Sequence, residues 1–204
     1  MDKVLATLLI GLMLTISGGG MACAGPLEDG VAAYDRGDYA TALRLLQPLA
    51  EQGDVTAQIV LGSMYDAGIG VTKDDRKALQ WYRLAAEQGN ADAQFNLGDM
   101  YANGQGVTQD NREAVKWLRL AAEQGNASAQ SNLGVMYWHG RGVSQDYLRA
   151  HMWFNLAASK LIGENGQVAS NNRDRIAKSL KPAQLVHAQE MAKRCEARSF
   201  KNCD

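Results

Sequence analysis

The chain is poor in the residues that build most catalytic centres. It has three cysteines and three histidines in 204 residues. There is no C-x-x-C and no H-E-x-x-H, so neither a zinc cage nor a zinc hydrolase is expected. G-x-S-x-G, a P-loop and the S-x-x-K/K-T-G pair of β-lactamases are also missing. No catalytic residue, metal or cofactor is therefore expected. Charge is nearly balanced, with 21 basic against 22 acidic residues. Without a basic run or a basic amphipathic helix, nucleic acid and membrane surfaces are poor partners.

Long apolar runs are missing too. Val4–Ile16 is apolar but too short to span a bilayer comfortably, which takes about 20 residues. Small residues follow it, and Ala22-Cys23-Ala24 fits the small-x-small rule for signal peptidase. This predicts a signal peptide over 1–24, with Gly25 as the new N-terminus. An uncleaved anchor and a lipidated Cys23 are the alternatives; Gly20 stands where a lipobox usually has Leu. Cleavage would leave Cys195 and Cys203, an even pair that predicts a disulfide in an exported chain. Closing so short a loop would contribute roughly 2–3 kcal/mol by the chain-entropy estimate. Two reduced thiols are the alternative.

What the chain does have is repetition. AQIVLGSMYDAGIGV at Ala57–Val71 returns as AQFNLGDMYANGQGV at Ala93–Val107 and as AQSNLGVMYWHGRGV at Ala129–Val143, each time 36 residues on. A period of this length signals a solenoid. Each unit reads as two helices. The first starts at Asp54, Asn90 or Asn126, side chains suited to N-caps, and stops at a glycine pair such as Gly68 and Gly70. The second starts at Asp74, Asp110 or Asp146, with Asp110 and Glu113 spaced as a capping box. Its apolar stripe is expected to be Ala78, Trp81, Leu84 and Ala85, with counterparts at Ala114, Trp117, Leu120, Ala121 and at Ala150, Trp153, Leu156, Ala157. Mid-helix Gly62, Gly98 and Gly134 each cost about 1 kcal/mol in helix propensity, which implies a close neighbour, with Ala85 and Ala121 as candidates.

These motifs resemble the Sel1-like repeat family: Leu61-Gly62, Tyr65, Gly68, Gly70-Val71, Trp81 and Ala85-Ala86 stand in place three times over. Gly37-Asp38-Tyr39 with Ala42 resembles a tetratricopeptide turn. The expected fold is all-α, an α/α solenoid of Sel1-like, tetratricopeptide-like hairpins with C-terminal capping helices. The expected divisions are 25–53 for an N-terminal helical pair, 54–163 for three repeats, and 164–204 for capping helices and tail. Helices are predicted over Gln167–Ser179 and from Pro182 to about Ala197.

In a solenoid the repeated positions serve the fold, so function is sought where the copies differ. Asn96, Asp99 and Asn103 share one stripe of a first helix. Asn132, Val135 and His139 form the next, with Trp138 beside it. The resemblance implies that first helices line the concave face, making this stripe the candidate partner site. Trp138 stands where sister copies have Asp66 and Ala102, so it is expected to be exposed and dispensable to the fold. The resemblance also implies a non-enzymatic periplasmic adaptor or scaffold for a protein or peptide, in envelope signalling, secretion or host interaction. A cell-wall enzyme or glycan-binding accessory and a structural subunit of an envelope assembly are the alternatives. Secretion beyond the outer membrane stays open.

Overall fold

A computed structural model describes residues 25–203. The expected signal peptide and Cys23 lie outside the described residues. The helices are α1 (Pro26–Asp35), α2 (Tyr39–Glu51), α3 (Val55–Ala67), α4 (Asp75–Glu87), α5 (Ala91–Asn103), α6 (Asn111–Glu123), α7 (Ala127–His139), α8 (Tyr147–Lys160), α9 (Gly163–Ala177) and α10 (Pro182–Ala197). Among the described residues there is no strand, and no helix is long and apolar enough to cross a membrane. From α1 to α8 each helix packs on its hairpin partner and on a helix of an adjoining unit, so the core runs as three adjoining clusters along the stack.

Caps set the boundaries. Asp54, Asn90 and Asn126 accept from the backbone N–H of Ala57, Ala93 and Ala129 at 2.8–2.9 Å. Asp74, Asp110 and Asp146 do the same for the second helices. The expected capping box is only half formed. Glu113 donates its N–H to Asp110, but its carboxylate turns to Lys116, and the Asp110 N–H goes to the Tyr101 carbonyl instead. Gly68, Gly104 and Gly140 end the first helices with φ of 67–72°, a left-handed cap that glycine adopts without a Cβ clash.

The second-helix stripe differs from the expected one in the first two copies and matches it in the third, where Ala150, Trp153, Leu156 and Ala157 are all buried. The buried positions are Ala78, Leu79, Tyr82, Ala85 and Ala86, then Ala114, Val115, Leu118, Ala121 and Ala122. Leu84 and Leu120 are each 44% exposed, and Trp81 and Trp117 are half-buried. Only Trp153 is fully buried. The stripe is rotated because the hairpin contact is made by the residue after each tryptophan. A Cβ on Gly62 would lie 2.7 Å from the Tyr82 ring, on Gly98 2.9 Å from Leu118, and on Gly134 2.8 Å from Phe154. These large side chains, rather than Ala85 and Ala121, explain the mid-helix glycines.

A polar ladder runs through the stack. Buried Gln58, Gln94 and Gln130 donate to the Ala50, Ala86 and Ala122 carbonyls. Gln88 then reaches Gln58 Oε1 and the Gly53 carbonyl, and Gln124 reaches Gln94 Oε1 and the Gly89 carbonyl. Lys160 takes the corresponding place in the last unit and donates to the Gly125 carbonyl, leaving Gln130 Oε1 without a partner among the described residues.

Beyond α8 the hairpin geometry lapses. α9 begins four residues earlier than predicted, and α9 and α10 pack against α8 rather than chiefly against each other. Cys195 and Cys203 form a disulfide with Cα atoms 5.0 Å apart, which folds the tail back on α10.

Candidate interaction surface

The variable side chains of α5 and α7 come together across a repeat boundary. Asn103 donates to Asp99 Oδ2 at 3.0 Å, one turn along α5. Asn132, on α7, donates to Asp99 Oδ1 at 3.2 Å. Asp99 thus joins two stripes that the sequence treats as separate. Burial pushes its carboxyl up; the two amide hydrogen bonds oppose this, and the charge of Asp66 one unit earlier adds to it. Asn96 is half-buried on the same helix, and Asn103 is exposed.

The other half of the predicted stripe behaves differently. Val135 is half-buried against the last core cluster. His139 is exposed and stacks on Trp138, with ring centroids 4.9 Å apart. Trp138 is not a free ring. It is half-buried, meets Phe154 edge-on at 6.2 Å, and has the Arg175 guanidinium of α9 at 5.0 Å over its face. Its lack of a counterpart in other units reflects the cap: only the last repeat has α9 beside it.

A crevice of about 250 Å³ adjoins Asn132, lined by Phe95 and Ser131 of the variable positions and by Leu161, Asn165 and Val168 from the cap. Phe95 and Ser131 differ between copies, so repeat comparison exposes them as candidates, although the polar stripe alone does not include them. Val168, 48% exposed, lies outside the repeats and carries no such signal.

No cluster of three or more His, Cys, Asp or Glu forms among the described residues. His151 is buried in α8, where burial first and then the Arg173 charge hold its imidazole below the ordinary range, against an opposing pull from Asp174. What the surface offers is a row of amide side chains around the Asp99 carboxylate beside a small crevice of mixed polar and apolar lining, which suits a polypeptide backbone with one side chain to insert.

Comparison with known proteins agrees with this architecture. The chain is similar to c5321, a protective antigen of uropathogenic Escherichia coli strains displaying an SLR fold, at 31% identity and a TM-score of 0.73, over 87% of this chain and 42% of that one. It is also similar to a Sel1 repeat protein from Oxalobacter formigenes, at 34% identity and a TM-score of 0.70, over 84% of this chain and 68% of that one. The chain thus spans less than half the length of the Escherichia coli antigen. A search of curated proteins gave no match. The family profile described as Sel1 repeat matches residues 27–54, 55–90, 91–126 and 127–160, including the first helical pair. With four consecutive units matched over more than half its length, the chain belongs to the Sel1 repeat family.

Proposed function

We propose that the protein is a non-enzymatic adaptor of the bacterial periplasm that holds an extended segment of a partner protein along the first-helix stripe. Sel1 repeats generally mediate protein–protein interaction, which supports the class. The observation that carries the site is the Asn103–Asp99–Asn132 network, which spans two units next to the Phe95 crevice. Amide side chains in such a row bond a peptide backbone without dictating its sequence, while the crevice supplies selectivity. The remaining predicted residues, Asn96, Val135, Trp138 and His139, border the same stripe, with the Trp138 ring held between neighbours that include His139, Phe154 and Arg175.

Export rests on the apolar run and small-residue site at the N-terminus. Envelope signalling, secretion or host interaction are the settings such an adaptor would serve.

Capture of partners from a periplasmic extract under mild crosslinking tests the proposal. Asn103→Ala combined with Asn132→Ala should lose the partner while keeping the helical melt. Unchanged capture by this variant would remove the stripe from the account.

A further inference from the structure

A second surface repeats along the other side of the stack, at the ends of the second helices. Its first copy is an open groove between α2 and α4, lined by Gly53, Gln58, Trp81, Leu84 and Gln88. Counting 36 residues on gives Gly89, Gln94, Trp117, Leu120 and Gln124. In both copies the tryptophan is half-buried and the leucine is 44% exposed.

The third copy comprises Gly125, Gln130, Trp153, Leu156 and Lys160, and it is covered: Trp153 is 0% and Leu156 2% exposed. Helix α10 and its tail do the covering, and the tail contributes one aromatic ring. Phe200 lies with its centroid 3.8 Å from Lys160 Nζ, and its ring edge is 3.4 Å from where a Cβ on Gly125 would be. Phe200 packs on the cluster that contains Trp153 and Leu156. The tail reaches this place with Ser199, Phe200 and Asn202 all at positive φ, a conformation that non-glycine residues adopt only at an energetic cost. The disulfide holds it there.

The chain therefore displays, in one copy of the groove, what the groove accepts. We propose that the open groove beside Trp81, and the equivalent surface beside Trp117, bind a short segment of a partner protein carrying one aromatic side chain flanked by basic residues. The aromatic preference follows from Phe200. The basic flanks follow from charge. The tail reads Arg198-Ser199-Phe200-Lys201, and the open grooves replace Ser159 and Lys160 by Glu87 and Gln88, or by Glu123 and Gln124. Glu51 and Glu87 both border the first groove. A ring would add to the apolar surface of Trp and Leu, and flanking Lys or Arg would meet the carboxylates. Phe200 itself, tied by the disulfide to the third copy, leaves the first two vacant for another chain. This surface is separate from the first-helix stripe, and its test is independent of it.

The probe is a peptide with capped ends, Glu-Ala-Arg-Ser-Phe-Lys-Asn, added to the oxidised protein. The indole N–H resonances of Trp81 and Trp117 should shift on titration, while those of Trp153 and Trp138 stay in place. Replacing Phe by Ala in the peptide should weaken binding at least tenfold. Leu84→Gln, a change at a half-exposed position, should abolish the Trp81 shift and leave the Trp117 shift intact, which also shows that the variant is folded. No shift at millimolar peptide, equal binding of the alanine peptide, or a shift at Trp153 alone, meaning exchange with the protein's own tail, would each overturn the proposal.

Discussion

Gln124 donates to Gln94 Oε1 at 2.8 Å across thirty positions of sequence, and Gln88 does the same to Gln58 one unit earlier at 2.9 Å. Both acceptor glutamines are buried, and both also donate to a carbonyl in the last turn of the preceding helix. A buried amide is costly unless satisfied, so each link fixes the register of one unit on the next. Gln94→Leu should therefore cost more than Gln130→Leu, by about 1 kcal/mol, because Gln130 Oε1 has no partner to lose. Urea melts of the two variants check the order.

Gly98→Ala should destabilise despite the better helix propensity of alanine. The new methyl would stand 2.9 Å from Leu118 and 3.2 Å from the Ala114 carbonyl. Overpacking of this kind costs about 1–3 kcal/mol, against roughly 1 kcal/mol recovered in propensity. Thermal melts should show a lower Tm, and the cost of Gly98→Ala should shrink when it is measured in a Leu118→Ala background.

Trp153→Ala should cost roughly 3–5 kcal/mol, as expected for a fully buried aromatic. Trp117→Ala and Trp138→Ala should cost less, because both rings are half-buried. Trp138→Ala should still lower the melting temperature measurably, since it removes contacts with Phe154 and Arg175. Circular-dichroism melts of all three variants give the ranking.

The raised Asp99 carboxyl gives stability a specific pH dependence. The folded state holds this proton more tightly than the unfolded chain. Its contribution is therefore fully present below the unfolded value and is lost as pH rises through the folded one. Asp99→Asn should flatten that limb, so the melting curves of wild type and variant should converge or cross as pH falls from neutrality to about 4. Parallel curves at all pH values would remove the effect.

Cys195 and Cys203 should resist thiol labelling in denatured, unreduced protein from the envelope. Labelling should become complete after reduction, with a loss of roughly 2–3 kcal/mol.

Tandem spacing made the fold legible. Caps at Asp54, Asn90 and Asn126 and exits at Gly68, Gly104 and Gly140 recur every 36 residues, so each copy checks the others. The facing of the second helices was less legible. Leu84 and Tyr82 lie two residues apart, both can occupy an apolar face, and only the position of Gly62 against Tyr82 settles which one turns inward. The site was legible in part for a related reason. Subtracting one repeat from another identified Asp99, Asn103 and Asn132, but their joining depends on how neighbouring units stack. The same subtraction misjudged Trp138, because the last repeat alone meets α9, a neighbour that no sister copy has.

The most direct test of the adaptor account places a photo-crosslinking side chain at position 103, on the exposed end of the α5 stripe, and at position 116, on the exposed face of α6. Irradiation in intact cells should yield a discrete protein adduct from position 103 and little from position 116. Equal adducts from both positions, or none from 103 in exported protein, would contradict the account.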